Sequence, residues 1–472
     1  MTPIPTAGRA LHDWSAVELL TAFARRSLSP VEVTQAVLEH MERWEPHLHA
    51  SYLLRAERAL TQAHASEARW QRGTPCGPLD GVPVTLKENI ATQGDPVPLG
   101  TAATELLPAA ADAPAAARLR EAGAVLLCKT TMPDYGMLSS GLSSFHATSR
   151  NPWDLSKTPG GSSAGGAAAA AAGYGPLHVG TDIGGSLRLP AGWCGIFSLK
   201  PSLGRIPIDP PYTGRCAGPM ARSVADAALM MRVLSQPDAR DSMSLPVECS
   251  AWNEFDRGTE WLRGLKIGLL LDAGCGLAVE PEVSQAIAHA AQLLTQAGAH
   301  VEPMRPFMTQ TMLDGMDHAW RMRAHLDLEA LKPERKAMVL HYIRHWANSA
   351  SQLSGPQTFV AMSQFHATRL ASVKACAPYD FVISPTSPVV AFAAELPSPT
   401  NDPLHPLEHI GFTVPYNMSE QPAASVNCGY TKQGLPIGLQ IAGRRFDDLG
   451  VLQLARAFEC LREPQRPWPL PP

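Results

Sequence analysis

Two glycine–serine clusters stand close together in the chain, GGSS at 160–163 and GGS at 184–186, with an alanine-rich run between them. Glycine is used where the backbone bends further than a side chain permits, or where backbone amides approach a ligand. A serine beside such backbone is suited to act as a nucleophile, a hydrogen-bond relay or a cap. The alternative is a flexible linker of Gly, Ser and Ala. The residues that bracket the second cluster, Thr181-Asp182 and Arg188-Leu189-Pro190, favour catalysis.

Lys87 ends a short apolar pattern. A turn-rich entry at 77–81 leads into Val82, Val84 and Leu86, which predict a buried strand. A lysine at the end of such a strand is commonly a surface charge. The alternative is a lysine held in the interior, where burial lowers its pKa and lets it act as a base.

The histidines and cysteines indicate no metal site and no cofactor. His341 and His345 are four residues apart on a predicted helix, with His318 nearby in sequence, but the HExxH arrangement is absent. The nine cysteines form no CxxC pair, so we expect neither zinc nor a disulfide framework, which fits a reducing cytoplasm.

The composition predicts a large buried core and gives little reason to expect a charged partner. Of 472 residues, 45% are hydrophobic and 17% charged, and the net charge is −4. We therefore expect neither nucleic acid nor an anionic membrane as a partner. The first residues lack the basic-then-apolar layout of a signal peptide, and no apolar run approaches the roughly 20 residues of a membrane helix. A cytoplasmic location is expected.

Strand and helix patterns alternate along the chain, which predicts one large α/β domain. We divide it into an N-terminal helical arm at about 10–72, a core at about 77–235 and a C-terminal half at about 260–465. Strands are predicted at 82–86, 124–128, 196–199, 266–271, 381–384, 423–428 and 437–441, and helices at 15–72, 112–122, 224–234, 281–297, 309–376 and 447–460.

Two segments are candidates for the surroundings of a substrate. The loop at 134–145 mixes glycine and serine with larger apolar side chains, which either line a substrate pocket or form ordinary core beneath a loop; these are Tyr135, Met137, Leu138 and Phe145. The proline- and glycine-rich segment at 205–222 is predicted to be a mobile loop at the mouth of the site.

Several segments resemble motifs of the amidase signature family, and they occur along the chain in the family's order. The glycine–serine signature is GGSSAGG at 160–166, and the nucleophile segment is GTDIGGSLRLPA at 180–191. Upstream, GVPVTLKE at 81–88 is similar to the family's lysine strand. Downstream, NMSEQPA at 417–423 and GLPIGLQ at 434–440 are similar to its C-terminal motifs. The resemblance argues against a linker and makes Lys87 the expected base.

The resemblance implies a mixed twisted sheet flanked by helices on both faces, and a Ser-cisSer-Lys triad. Ser186 matches the nucleophile, Ser162 the bridging serine and Lys87 the base, with a cis peptide between Gly161 and Ser162. The family's oxyanion hole matches the backbone amides around Ile183, Gly184, Gly185 and Ser186. Positions that support these groups match Ser163, Asp182 and Arg188.

The chemistry of the triad also follows from general principles. A serine hydroxyl is a weak nucleophile at neutral pH and needs a base within hydrogen-bond reach, and a lysine serves only when neutral. Lys87 takes a proton from Ser162, which takes one from Ser186, and Ser162 later returns a proton to the departing nitrogen. An acyl-enzyme intermediate results.

The expected function is hydrolysis of amide C–N bonds, with apolar or aryl amides and carbamates as the small-molecule substrates. The alternative is the glutamine amidase subunit of a tRNA-dependent amidotransferase, which would need a polar pocket; the apolar loop at 134–145 favours the hydrolase. A catalytically inactive binding protein is disfavoured because all three triad residues are present. A monomer or a homodimer is expected. Glu420 departs from the family's glycine and is expected to face solvent or the pocket rim.

Overall fold

The computed structural model describes residues 8–246 and 252–472. Within them, eleven strands form one mixed sheet with the order β1-β3-β2-β4-β6-β5-β10-β11-β9-β7-β8. The strands are β1 Ser51–Tyr52, β2 Pro83–Lys87, β3 Val125–Thr130, β4 Leu177–Asp182, β5 Phe197–Lys200, β6 Cys216–Ala221, β7 Lys266–Leu269, β8 His300–Pro303, β9 Phe381–Pro385, β10 Ala423–Tyr430 and β11 Pro436–Gly443.

Helices cover both faces of this sheet, as the α/β prediction implies. They are α1 Ala16–Ala24, α2 Pro30–Leu48, α3 Ala56–Arg72, α4 Pro114–Glu121, α5 Ala164–Ala172, α6 Arg188–Cys194, α7 Val224–Leu234, α8 Pro281–Gln296, α9 Gln310–Glu329, α10 Pro333–Lys336, α11 His341–Asn348, α12 Gly355–Cys376, α13 Val414–Met418 and α14 Asp448–Leu461. None of these helices is long and apolar enough to cross a membrane.

The side chains of β10 illustrate why helices are needed on both sides. Ala424 and Val426 belong to the main hydrophobic core, whereas Ala423 belongs to a separate cluster with Phe412 and Tyr416. Neighbouring residues of a strand point to opposite faces, so each face of this central strand is buried by its own layer.

Parallel pairing in the N-terminal half brings the ends of two strands together. β2 pairs with β4 in parallel, with Val84 opposite Leu177 and Leu86 opposite Val179. Every residue of both strands is buried, as expected for a parallel sheet covered on both faces. Lys87 and Thr181 therefore lie close together at the same end of β2 and β4, immediately before the loop that carries the second glycine–serine cluster.

The structure corrects the prediction for 205–222. Residues Cys216–Ala221 are not part of a loop but form β6, which is buried and pairs with both β4 and β5. Gly218 and Pro219 suggest a loop in isolation, but a Cβ at Gly218 would lie 2.1 Å from the Leu199 carbonyl oxygen, so glycine permits the close strand approach. Residues 205–215 and Arg222 remain irregular.

Candidate active site

Lys87 lies at the end of β2 and is completely buried. Its Nζ lies within hydrogen-bond distance of three hydroxyls: Ser162 Oγ at 2.7 Å, Thr181 Oγ1 at 3.1 Å and Ser163 Oγ at 3.2 Å. Burial lowers the pKa of Lys87 to about 7, although the negative charges of Asp182 and Glu88 act in the opposite direction. The side chain is thus an interior amine whose neutral form is favoured by burial.

Ser162 lies two residues before the first residue of α5, and its peptide bond with Gly161 is cis. The loop at 134–145 packs tightly against this peptide. A Cβ at Gly161 would lie 2.6 Å from the Leu138 carbonyl oxygen and 2.7 Å from the Ser140 amide nitrogen, so only glycine fits. The first glycine–serine cluster therefore positions the Ser162 hydroxyl against Lys87.

Ser163 joins the two glycine–serine clusters. Its hydroxyl donates to the Thr181 carbonyl at 3.2 Å and accepts from the Thr181 amide at 3.3 Å, and its amide donates to the Ser186 carbonyl at 3.2 Å. Because Ser163 is fully buried, its hydroxyl is a structural contact and is not accessible to substrate.

Ser186 lies in the turn between β4 and α6, and it is partly exposed, as are Ile183 and Gly184. The Gly184 carbonyl accepts a hydrogen bond from Thr413 Oγ1 at 2.6 Å. Gly185 has a φ of 135°, and a Cβ there would lie 2.6 Å from the same Thr413 oxygen. Glycine at 185 is therefore required both by the backbone conformation and by space.

The amides of this turn divide into two groups. The Gly185 amide donates to Asp182 Oδ1 at 2.9 Å, so Gly185 supplies the turn and not a free donor, contrary to the prediction that its amide belongs to the oxyanion hole. The amides of Ile183, Gly184 and Ser186 make no hydrogen bond within 8–246 and 252–472. These three remain available to an oxyanion.

A buried ion pair between Asp182 and Arg188 stabilises the turn that contains the second glycine–serine cluster. Arg188 donates to both oxygens of Asp182, at 2.9 Å and 3.0 Å, and to Gln440 Oε1 at 2.8 Å, Asn417 Oδ1 at 2.6 Å and the Thr413 carbonyl at 2.8 Å. Burial alone would raise the pKa of Asp182, but the Arg188 charge and the hydrogen bonds hold it well below its usual range. This network explains why the C-terminal motifs at 417–423 and 434–440 accompany the nucleophile segment.

The four predicted pocket residues do not form one wall. Leu138 is buried in a cluster with Ile343 and Leu328, and Tyr135 and Met137 pack against that cluster. Phe145 lies elsewhere, with its ring edge-on to Tyr52 and His146 at centroid distances of 5.6 Å and 4.9 Å. His146 in turn hydrogen-bonds Glu88, the neighbour of Lys87, at 2.7 Å.

Two apolar side chains beside the turn were missed by sequence reasoning. A Cβ at Gly184 would lie 3.4 Å from Ile410 Cδ1 and 3.7 Å from Trp320 Cη2, so both side chains stand against the oxyanion segment. The Trp320 ring packs on Phe365 at 5.7 Å. Both residues lie more than 130 positions downstream of Gly184, and no local pattern in the sequence marks them.

The contacts of Glu420 and of the two histidines show the surroundings of the remaining candidate residues. Glu420 is mostly buried and pairs with Arg369 at 2.7 Å and with Arg445, so it neither faces solvent freely nor lies unpaired at a rim. The rings of His341 and His345 are 6.3 Å apart. Across the described residues, no group of three or more His, Cys, Asp or Glu side chains is arranged to hold a metal ion.

Comparison with known proteins shows the family of the chain. The Amidase family model matches residues 32–452. A glutamyl-tRNA(Gln) amidotransferase subunit from Myxococcus xanthus is 34% identical, covering 95% of this chain and 97% of its own length, and its namesake from a Cyanothece strain is 32% identical, covering 94% and 96%.

Solved structures show the same architecture. A bacterial aryl acylamidase of the amidase signature family superposes with a TM-score of 0.87 at 29% identity, covering 96% of this chain and 97% of that one. The 6-aminohexanoate cyclic dimer hydrolase, complexed with substrate, superposes with a TM-score of 0.84 at 26% identity, covering 96% and 98%. With the family model matched over most of its length, this chain belongs to the amidase signature family of enzymes that act on C–N bonds.

Proposed function

We propose that the chain hydrolyses amides through an acyl-enzyme on Ser186, with Ser162 relaying protons between Ser186 and Lys87. The observation that carries this proposal is the buried Lys87 amine, 2.7 Å from Ser162 Oγ and with a pKa lowered to about 7. A buried amine of this kind is suited to accept a proton at neutral pH, which an ordinary surface lysine does not do.

Acylation begins when Ser186 Oγ attacks the substrate carbonyl carbon. Ser162 accepts the Ser186 proton as it passes its own proton to Lys87. The carbonyl oxygen becomes an oxyanion and accepts hydrogen bonds from the free amides of Ile183, Gly184 and Ser186. Ser162 then donates a proton to the departing nitrogen and regains one from Lys87, so the amine leaves neutral and the base is restored.

Deacylation repeats the sequence with water in place of Ser186. Water gives a proton to the Ser162–Lys87 pair and attacks the acyl carbon, and Ser186 leaves as a hydroxyl after receiving a proton through Ser162. The products are a carboxylic acid and an amine or ammonia, and atoms and charge balance over the two half-reactions.

Two substrate classes have separate support. The curated relatives, which are amidotransferase subunits, favour glutamine as the substrate. Such a subunit would hydrolyse the glutamine amide to supply ammonia to partner chains. This support is stronger than the support for an aryl amide. The apolar Trp320 and Ile410 side chains beside Gly184, and the similarity to an aryl acylamidase, support an apolar or aryl amide, with carbamates as a chemically equivalent class.

A substrate panel separates these classes. We would measure kcat/KM for an acyl anilide, an aryl carbamate, acetamide and glutamine, each with wild type and with Ser186→Ala as the blank. Turnover of the anilide by the isolated chain supports a free-standing hydrolase. Turnover of glutamine alone, especially when it depends on chains that co-purify from the native host, supports the amidotransferase reading. Activity that survives in Ser186→Ala would contradict the proposed mechanism for every substrate.

The same proposal includes the cytoplasm as the place of action. Eight cysteines in the described part of the chain are free thiols, which supports a reducing compartment. Thiol titration of protein isolated under alkylating conditions tests this, because disulfide-bonded cysteines would escape alkylation.

A further inference from the structure

Arg215 lies next to the strand that pairs with β4, which leads into the oxyanion segment. It directly precedes β6, whose first residue, Cys216, pairs with Asp182 in the antiparallel ladder with β4. This pair ends the ladder, and Arg215 and Ile183 are the next residues beyond it on the two chain segments. The preceding carbonyl, that of Gly214, accepts from Asn417 Nδ2 at 3.0 Å, so this backbone is tied to the buried Asp182–Arg188 network.

The Arg215 side chain borders a small cleft that is also lined by Asn89 and Thr181. Asn89 Nδ2 donates to Thr181 Oγ1 at 3.1 Å, and the same oxygen accepts from Lys87 Nζ at 3.1 Å. Arg215 and Lys87 are thus separated by a short path of polar groups.

The guanidinium of Arg215 is half-buried without an ion-pair partner. Of its five N–H groups, the described residues engage one, through the Pro210 carbonyl. No carboxylate of the described chain lies within 4.0 Å of it; Asp209 also borders the cleft but is exposed and forms no ion pair with Arg215. Asp241 acts at longer range, and its oxygens accept from the amides of Ile208 and Met243.

A second cation lies near the same aromatic ring, that of Tyr212. The Arg323 guanidinium carbon is 4.0 Å from the centre of the Tyr212 ring, and the Arg215 carbon is 5.8 Å from it. Burial, followed by the positive charge of Arg323, lowers the pKa of Arg215. Residues three apart share a helix face, so Arg323 lies on the side of α9 that carries Trp320, which contacts Gly184. Arg323 has one acidic neighbour, Asp327, at 3.6 Å.

We propose that Arg215 and Arg323 form a carboxylate-binding subsite beside the oxyanion segment, so that the substrate is an amide that also carries a carboxylate. This inference rests on the proposed amidase function and narrows its substrate class. A planar carboxylate satisfies a guanidinium fork with two parallel hydrogen bonds, and its negative charge offsets the effect of the Arg323 charge on Arg215. Glutamine belongs to this class, as do half-amides of dicarboxylic acids, whose methylene or aryl portion would contact Trp320 and Ile410.

The competing role for Arg215 is structural. Through the Pro210 carbonyl it fastens the irregular segment 205–215, and losing that tie would impair turnover of every amide to the same extent. The ratio of kcat/KM for charged and uncharged substrates separates the two roles, because a structural defect cancels in the ratio.

The test uses two pairs of amides in wild type, Arg215→Gln, Arg215→Lys and Arg323→Gln. Glutaric mono-4-nitroanilide is compared with pentanoic 4-nitroanilide, which places the carboxylate on the acyl side. 4-Acetamidobenzoate is compared with acetanilide, which places it on the leaving side. We expect wild type to favour the charged member of one pair, and Arg215→Gln to lower that ratio about 10- to 100-fold. Arg215→Lys should restore part of it, and Arg323→Gln should lower it by a smaller factor.

Exposed Arg263 provides the matched control, and Arg263→Gln should leave both ratios as in wild type. Binding of glutarate to Ser186→Ala, measured by calorimetry with and without Arg215→Gln, gives a readout that does not depend on turnover. Loss of glutarate binding in the double variant supports the subsite even where the amidase proposal fails. Ratios that do not change in Arg215→Gln, or glutarate binding that is absent or insensitive to Arg215, would overturn it.

Discussion

Replacing Lys87 with methionine should abolish activity and, at the same time, remove a specific pH dependence of stability. The variant keeps an unbranched side chain of similar length but lacks the amine. In the native protein the pKa of Lys87 is about 7, whereas an unfolded lysine titrates near 10.4. Between these two values the unfolded chain binds one proton more than the folded one, so the wild-type free energy of unfolding must rise with pH.

The size of the effect follows from this proton difference. One proton contributes about 1.4 kcal/mol per pH unit, so from pH 7.5 to 9.5 wild type should gain about 2 to 3 kcal/mol relative to Lys87→Met. Lys129 is also buried, with a pKa lowered to about 8, but it is present in both proteins and cancels in the difference. Urea unfolding at pH 7.5, 8.5 and 9.5 measures the difference directly.

Activity provides the second half of the same test. Because only the neutral amine accepts a proton, wild-type kcat/KM should rise about tenfold per pH unit below pH 7 and level off above it. Lys87→Met should lose about 10³-fold or more. Parallel stability profiles for the two proteins, or a pH–rate profile that is flat from pH 6 to 9 while chemistry limits the rate, would refute the assignment of Lys87 as an interior base.

Three further predictions concern the surroundings of the triad. Asp182→Asn leaves the buried Arg188 charge unpaired and should lower the free energy of unfolding by about 3 to 5 kcal/mol in urea titrations, and a loss below 1 kcal/mol would count against the network. Gly185→Ala should lower kcat about 10²-fold or more, because a Cβ at a φ of 135° meets Thr413. Gly166→Ala is the control, since its Cβ would make only ordinary contacts, and it should leave kcat unchanged. Equal effects of the two substitutions on kcat would contradict this explanation. Dialysis against EDTA should leave kcat/KM unchanged, and an activity that zinc restores would contradict a metal-free mechanism.

The sequence was most informative where a local motif has a local physical cause. The sequence of Ser29, Pro30 and Glu32 is typical of a helix N-terminus, and the structure shows Ser29 and Glu32 in a capping box with Pro30 in the first turn. The alternation of apolar strands with helices predicted the α/β class. The strand that ends in Lys87 was predicted. The strand pattern did not decide whether the Lys87 side chain itself is buried, because a covering layer such as α5 is contributed by residues about 80 positions away.

The predictions that were wrong or missing concern breaks within helices and contacts between residues that are distant in sequence. The single helix predicted from 15 to 72 is three helices, α1 to α3, with one break before Pro30 and another at His49, which has a φ of 49°. The segment at 205–222 resembles a loop because β6 contains Gly218 and Pro219. Trp320 and Ile410 reach Gly184 only through packing of distant elements, and antiparallel pairing brings Cys216, the residue after Arg215, opposite Asp182.

Trapping of the acyl-enzyme tests the central claim most directly. Wild type is mixed with an activated 4-nitrophenyl ester, quenched in acid within the burst, digested and analysed by mass spectrometry. We predict one acyl group on the peptide that contains Ser186, its absence in Ser186→Ala, and slow formation of the same adduct in Lys87→Met. An acyl group on Ser162 or Ser163, or a burst that persists in Ser186→Ala, would contradict the account.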